Sequence, residues 1–218
     1  MKVLCIFLHY NYGEPSRGVS IDYASFVPAI ESMGHEVLHF DSWDRAYGSY
    51  AEMNRAMLET VRDWKPDLVF TVQRDYEIFL ETLQAIAALN GPALVTWTTD
   101  DSFKFHKYSR FIAPYYDAIS TTYDYRLKDY RAFHIEGVIL TQWAANAFWL
   151  QAPKPSAECR YDVSFVGTKY GEREAVMERL CAAGINVTCF GFGWPNGPVE
   201  TEDIPRIMRD SRISLNFS

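Results

Sequence analysis

The chain has 218 residues, of which 48% are apolar and 22% are charged, the composition of an ordinary globular protein with one or two domains. The formal net charge is −7, from 21 basic and 28 acidic residues, and this argues against a general nucleic-acid binder, which needs a basic face for phosphate contacts. The apolar run at the N-terminus is too short for a signal peptide and no stretch is long enough to span a bilayer, so we expect a cytoplasmic protein.

The four cysteines form no CxxC pair, and they are Cys5, Cys159, Cys181 and Cys189. Because the first and last lie in predicted strands and Cys181 lies on the apolar face of a predicted helix, we expect free, buried thiols in a reducing compartment. The sequence contains no HExxH motif and no tight cluster of His and carboxylate residues, so we expect neither a metal nor another cofactor.

Strands and helices alternate from residue 3 to about residue 140. Apolar runs predict strands at 3–8, 37–40, 68–72, 93–98, 118–121 and 138–140. Helical spacing of apolar residues predicts helices over 23–33, 50–64, 79–86 and 125–131. This order is typical of a parallel, right-handedly connected, doubly wound α/β sheet of the Rossmann type.

A connector with two prolines, over residues 151–159, marks the expected domain boundary between residues 1–150 and 160–218. Beyond it we predict strands at 162–166, 186–190 and 213–217, with helices starting near residue 172 and residue 202. Three strands and two helices do not easily bury both faces of a sheet. We therefore expect that the sequence stops partway through the second domain, or that a homo-oligomer or another partner covers the gap.

Several motifs resemble those of the CgeB-like spore-maturation proteins, which belong with the glycosyltransferases of GT-B fold. The resemblance covers the second half best and the whole chain thinly. Its motifs are DVSFVG at 162–167 followed by Arg173, FGFGW at 190–194, GPV at 197–199 and ISLNFS at 213–218, with weaker support from LTQWAA at 140–145 and WTTDD at 97–101.

The resemblance implies two Rossmann-like domains of the GT-B type, the first complete and facing the acceptor, the second incomplete and facing a nucleotide-diphosphate sugar. Sugar transfer would then take place in the cleft between them, without a metal. In the family, an acidic motif beyond the Asn-Phe-Ser of residues 216–218 grips the sugar and ribose of the donor. Because this sequence ends before that motif, we expect the donor site of this chain alone to be incomplete.

The predicted phosphate loop follows the strand at 162–166. Gly167 lets the backbone approach a phosphate, and the following helix offers N–H donors at its positive end. Thr168, Lys169 and Arg173 would bind the departing diphosphate, the two cations neutralising its charge. The alternative is a tight turn with solvated basic residues.

A second loop on the donor side follows the strand at 186–190. Gly191 and Gly193 permit close approach of the backbone, and Trp194 could stack on a nucleotide base. The alternative is a turn packed by Trp194. The pattern is not GxGxxG, so no dinucleotide site is predicted.

Three residues are candidates for the catalytic step. Asp100 and Asp101 follow the fourth strand, where a parallel sheet presents its ligand site, and one of them could take the proton of an acceptor hydroxyl. Two adjacent carboxylates point to different sides, and the alternative is an N-cap for the segment that begins at Ser102. His9, after the first strand, is a further candidate base, with a structural hydrogen bond as the alternative.

The remaining candidates are predicted to contact the acceptor, and they are Asn11, Arg17, Gly18 and Trp97. The sequence thus favours a hexosyltransferase-type glycosyltransferase of GT-B fold. A non-catalytic α/β binding or scaffold module and a nucleotide-sugar epimerase on the same fold are the alternatives. The sequence leaves open the sugar, the nucleotide base, the acceptor and the stereochemical outcome.

Overall fold

The structure is a computed structural model that describes residues 1–217. It divides after Ala144 into two compact units, which we call unit 1 (residues 1–144) and unit 2 (from Ala145 onwards). The stretch 151–159, which the sequence marks as a connector, lies inside unit 2 and carries a 3-10 turn at Ser156–Glu158. None of the helices within residues 1–217 is long and apolar enough to cross a membrane.

Unit 1 is built on a parallel sheet with strand order β2-β1-β3-β4-β5-β6. Its strands are β1 (Lys2–Ile6), β2 (Glu36–Phe40), β3 (Leu68–Thr71), β4 (Ala93–Trp97), β5 (Ala118–Thr121) and β6 (Val138–Leu140). The first helices are α1 (Ile21–Ser32), α2 (Tyr50–Trp64) and α3 (Leu80–Ala87). All six predicted strands are present to within two residues at each end, and the predicted α/β fold class is confirmed.

The first strand is buried on both faces, as its continuous apolar run predicts. Leu4 and Ile6 belong to one core cluster, which includes Met53, Met57 and Val61 of α2, whereas the alternate residues of β1 belong to a second cluster with Val27 of α1. Met57 is fully buried, and truncating it to alanine should cost about 2–5 kcal/mol. Helices therefore cover both faces of this sheet.

The sequence does not predict the helical stretch between β4 and β5. It begins with α4 (Asp101–Lys104), continues through a π-helical segment (Phe105–Ser109) into α5 (Arg110–Ile112) and ends in a 3-10 turn (Ala113–Tyr115). The next helix, α6 (Arg126–Ala132), matches the prediction.

Unit 2 contains a parallel sheet of order β8-β7-β9. Its strands are β7 (Tyr161–Val166), β8 (Val187–Phe190) and β9 (Ser211–Leu215), and its helices are α7 (Arg173–Ala182) and α8 (Ile204–Arg209). The strand predicted at 213–217 begins two residues earlier than expected. Ser218, the last residue of the ISLNFS motif and of the predicted second domain, lies outside the described residues.

All four cysteines are free thiols, but they are not all buried as predicted. Cys5 and Cys189 are buried, and burial raises the pKa of the Cys5 thiol to about 12. Cys181 is exposed and Cys159 is half-buried, so the predicted burial of these two thiols is wrong. The reason is that α7 covers its sheet through Met177, with Leu180 beside it, while Cys181 lies on the side of the helix that faces solvent.

Candidate functional site

The carboxyl edge of the unit 1 sheet carries the polar loops that the sequence associates with the acceptor. Because all strands of this sheet are parallel, the segments after β1, β3 and β4 leave it at the same edge. His9 and Asn11 lie after β1, and Asp100 and Asp101 lie after β4. The same edge also presents residues that the sequence did not single out.

His9 is held in an aromatic stack. Its ring lies nearly parallel to those of Tyr10 and Tyr23, with centroids 4.4 and 4.1 Å away, and the ring of His39 is perpendicular to it at a centroid distance of 5.6 Å. The Nε2 atom of His39 lies 2.9 Å from the carbonyl oxygen of Phe7, and burial lowers the pKa of His39. Both faces of the His9 ring are thus covered, so a ligand would reach this imidazole through its edge.

Asn11 and Arg17 fasten the loop that contains them. The Asn11 side-chain amide donates to the carbonyl oxygens of Arg17 (3.1 Å) and Val19 (3.2 Å). Arg17 forms an exposed ion pair with Glu14 at 2.6 Å, and Gly18 has a φ of +75° at the end of the loop. These contacts support the shape of the loop, and the predicted acceptor contacts remain predictions.

The two carboxylates after β4 have different surroundings. Asp101 is buried and accepts hydrogen bonds from Ser109 Oγ (2.5 Å), Tyr130 Oη (2.8 Å) and Thr98 Oγ1 (3.0 Å). Asp100 is exposed, has a φ of +63° and lies 3.7 Å from the ammonium group of Lys104. Asp101 is therefore a structural centre that joins three segments, and a substrate can approach Asp100.

Helix capping does not account for the acidic pair. The helix begins at Asp101, one residue before the predicted start, and Asp100 at its N-cap makes no side-chain capping hydrogen bond. Asp100 also adopts a left-handed conformation, which is uncommon for a residue with a side chain. Asp100 thus stands at the N-cap position without capping through its side chain, and Asp101, the residue before Ser102, lies within the helix.

Trp97 ends β4 and packs between Phe26 and Trp143, each with its ring centroid 5.3 Å away. Its indole N–H is buried and has no hydrogen-bond partner within residues 1–217. A buried donor without a partner is costly, and such groups concentrate at functional sites.

The structure adds an ion pair that the sequence did not reveal. Asp22, in the first turn of α1, is completely buried and pairs with Arg74, which follows β3 and is partly exposed. Within the described part of the chain, Asp22 Oδ1 and Arg74 Nε have no hydrogen-bond partner. Burial raises the pKa of Asp22, and the Arg74 guanidinium acts in the opposite direction.

Sequence signals for this pair were weak. An acidic residue in a first helical turn usually interacts with the helix dipole, so the position of Asp22 does not indicate an ion pair with a distant residue. Only the position of Arg74 just beyond the carboxyl end of a buried strand could have indicated a site residue.

In unit 2, the two loops predicted on the donor side form one structure. The indole N–H of Trp194 donates to the carbonyl oxygen of Gly167 at 2.9 Å, and the amide of Lys169 donates to the carbonyl oxygen of Phe192 at 2.8 Å. A Cβ on Gly191 would lie only 2.2 Å from the carbonyl oxygen of Gly167. Glycine at this position thus allows the loop after β8 to pack directly on the loop after β7.

The cations of these loops are already engaged. Lys169 Nζ lies 2.5 Å from a carboxylate oxygen of Glu174 and 5.5 Å from the centre of the Trp194 ring. The Arg173 guanidinium donates to the carbonyl oxygen of Thr168 at 2.8 Å and lies 4.0 Å from the centre of the Tyr170 ring. Arg173 is therefore preorganised, whereas Lys169 would have to leave Glu174 to bind an anion.

Gly193 also belongs to this contact, since a Cβ on it would lie 2.9 Å from the Cβ of Lys169. Within residues 1–217, no group of three or more His, Cys, Asp or Glu side chains is placed to hold a metal ion.

Comparisons with known proteins identify solved structures that share this architecture. No protein-family model and no curated protein sequence matches the chain. Among solved structures, the apo form of the lipopolysaccharide outer core galactosyltransferase WaaB aligns with a TM-score of 0.54 and 12% identity, over 99% of this chain and 68% of that one. The UDP-GlcNAc 2-epimerase from Neisseria meningitidis bound to UDP-GlcNAc aligns with a TM-score of 0.58 and 12% identity, over 100% and 78%.

The chain has a GT-B-like fold. A third structure, the glycosyltransferase SnogD from Streptomyces nogalater, aligns at 14% identity with a TM-score of 0.42, which is too low to add support. At such identities a likeness extends to the fold alone, and function has to be argued from the sites. The resemblance to CgeB-like proteins remains a prediction.

Proposed function

We propose that the protein transfers a sugar from a nucleotide-diphosphate sugar to an acceptor hydroxyl, as a transferase of the kind to which the CgeB-like proteins belong. The observation that carries the proposal is the joined pair of loops after β7 and β8. It combines closely approached glycine backbone, two cations and an indole ring at the carboxyl edge of a parallel sheet. Nucleotides bind α/β sheets at this edge.

On the donor side, the task is to stabilise the diphosphate as it leaves. Arg173, held against the loop by Thr168 and Tyr170, would bind it through charge-assisted hydrogen bonds, and Lys169 would add its charge after release from Glu174. The positive end of α7 acts in the same direction. Trp194 is the proposed stacking surface for the base, and its N–H bond to Gly167 fixes its orientation.

On the acceptor side, Asp100 is the proposed base because it is exposed, whereas the oxygens of Asp101 are occupied by three donors. The acceptor oxygen would form a bond to the anomeric carbon as the bond from that carbon to the diphosphate breaks. The hydroxyl proton would pass to Asp100, or to the half-buried imidazole of His9. Asn11, Arg17, Gly18 and Trp97 remain the proposed acceptor contacts.

Calorimetry with UDP, GDP, CDP and dTDP, preceded by a thermal-shift screen, tests the donor site. A ligand that binds the native state raises the unfolding midpoint. We expect Lys169→Ala and Arg173→Ala each to weaken binding of the preferred diphosphate about tenfold or more, which corresponds to roughly 1.4 kcal/mol for each lost charge contact.

Two further variants sharpen this experiment. Glu174→Gln should tighten binding because it frees Lys169 from its ion pair, and Arg179→Ala, which removes an exposed charge near the other end of α7, should leave the affinity unchanged. A loss in Arg179→Ala as large as the losses in Lys169→Ala and Arg173→Ala would indicate a nonspecific charge effect. No thermal shift with any of the four nucleotides would favour a non-catalytic scaffold over the transferase.

An epimerase is the second candidate, because the likeness to the UDP-GlcNAc 2-epimerase is as good as that to the galactosyltransferase. The two functions differ in their need for an acceptor. Conversion of the sugar part of a nucleotide sugar in the absence of acceptor, followed by NMR of the sugar protons, would favour the epimerase. Consumption of the donor only when an acceptor is added would favour the transferase.

A further inference from the structure

Unit 1 contains a pocket that none of the candidate site residues discussed above lines. It has a volume of about 400 Å³ and lies where the loop after β2 meets the loop after β1 and the start of α2. Its walls include Tyr12, Ser42, Trp43, Arg45, Tyr47 and Tyr50. Pockets of roughly 300–1,000 Å³ are typical of small-ligand sites.

The walls of this pocket are fixed before any ligand arrives. A Cβ on Gly13 would lie 2.7 Å from the carbonyl oxygen of Trp43, so the two loops are in direct contact. Glu14 and Arg45 join them further through an ion pair at 2.8 Å, and the Trp43 indole N–H donates to Glu77 at 3.3 Å. A ligand would therefore lose little free energy in ordering the protein.

Tyr12 is the unusual member of the pocket. Its φ is +57°, a left-handed conformation that costs a residue with a side chain about 1–2 kcal/mol, and yet 66% of the residue is exposed. Burial of the ring therefore does not offset the strain, and the ring is in contact with the Arg17 guanidinium, 5.0 Å from its centroid. Tyr50, on the same pocket, is 55% exposed. Residues in strained backbone conformations cluster at binding sites and active sites.

The charges and polar groups of the lining indicate which class of ligand fits this pocket. The two charged residues of the lining, Asp44 and Arg45, cancel each other, and the guanidinium of Arg45 is already paired with Glu14. An anionic ligand would therefore meet Arg45 next to the carboxylates of Asp44 and Glu14. Ser42 and Ser49 supply hydroxyl groups among the aromatic rings.

A sugar ring has the complementary chemistry, because its C–H faces carry partial positive charge that meets the negative faces of aromatic rings, while its hydroxyls reach polar groups at the rim. We propose that this pocket binds a neutral saccharide. If the proposed transfer reaction holds, it is the subsite for the acceptor, which is then a carbohydrate.

Saturation-transfer NMR with a panel of neutral methyl glycosides and disaccharides, without nucleotide, tests the pocket. We expect transfer from the protein to at least one saccharide, and a loss of affinity of about tenfold or more in Tyr12→Ala and in Tyr50→Ala. Tyr125→Ala, which removes a 45% exposed tyrosine outside the pocket, should bind as the wild type does.

Three outcomes would overturn the proposal. These are no transfer to any saccharide of the panel, transfer that survives both pocket substitutions, and displacement of the saccharide by inorganic phosphate or by phenol with higher affinity. Failure of the pocket and failure of the transferase are distinguishable. Saccharide binding that depends on Tyr12, together with no response to any nucleotide, would keep this site and refute the transfer reaction.

Discussion

Gly191 is the position at which one added methyl group should most disturb unit 2. Its φ of +124° lies outside the left-handed region open to other residues, and a Cβ there would lie 2.2 Å from the carbonyl oxygen of Gly167. The atoms in the way belong to the backbone, so no side chain can rotate aside. Strain of about 1–2 kcal/mol and overpacking of about 1–3 kcal/mol together predict that Gly191→Ala destabilises unit 2 by about 2–5 kcal/mol.

Gly171→Ala is the matched control. Its φ of +58° is within the left-handed region, and no atom of residues 1–217 lies within 4 Å of the added Cβ, so about 1–2 kcal/mol of strain is expected alone. Denaturant unfolding gives the free energies, and amide hydrogen exchange at Gly167 and Lys169 reports whether the two loops still pair. Equal midpoints and equal exchange for the two variants would refute the packing argument.

The other predictions concern the charges of unit 1. Arg74→Ala should lower the free energy of unfolding by about 3–5 kcal/mol, because it leaves the fully buried carboxylate of Asp22 unpaired. Asp22→Asn should lower it less, because the Arg74 side chain left without a partner is partly exposed. Denaturant unfolding at pH 7 compares the two variants. Burial raises the pKa of Asp22, so its contribution to stability is complete below the unfolded-state pKa and is lost as pH rises through the folded-state value. The stability of Asp22→Asn relative to wild type should therefore increase from about pH 4 upward, and a constant difference would contradict this. Asp101→Asn should lower the unfolding midpoint of unit 1 while Asp100→Asn leaves it unchanged, and equal midpoints would argue against the distinction between them.

The fold could be predicted where local pattern and burial agree. The run over residues 3–8 predicts a strand covered on both faces, and alternate residues of β1 do belong to two different core clusters. The stretch between β4 and β5 escaped prediction although Phe105, Tyr108 and Ile112 are buried at helical spacing. Its exposed aromatics, Phe103 and Phe111, and the π-helical segment blur the period on which such a prediction depends.

The sequence indicates where the candidate sites lie, but not which side chains pair with one another there. Strand ends indicated the loops at 98–101 and 167–173, because topology alone fixes the edge of a parallel sheet that binds ligands. Which carboxylate is buried depends on Ser109 and Tyr130, which are 8 and 29 residues away from Asp101. The ion pair between Lys169 and Glu174 likewise depends on side-chain conformations that spacing does not determine.

Three of the carboxylates near the carboxyl edge of the unit 1 sheet, Asp22, Asp100 and Asp101, differ in what they can do. Asp101 lies within hydrogen-bond distance of three hydroxyl groups and holds three segments together, so it is placed for a structural role. Asp22, whose pKa is raised by burial, is completely buried and paired with Arg74. Asp100 is the exposed one of the three, and in the proposed transfer reaction it is the one that an acceptor would reach. Asp22 would then act through Arg74, by holding the guanidinium at the sheet edge, and Asp100 would contact the acceptor itself.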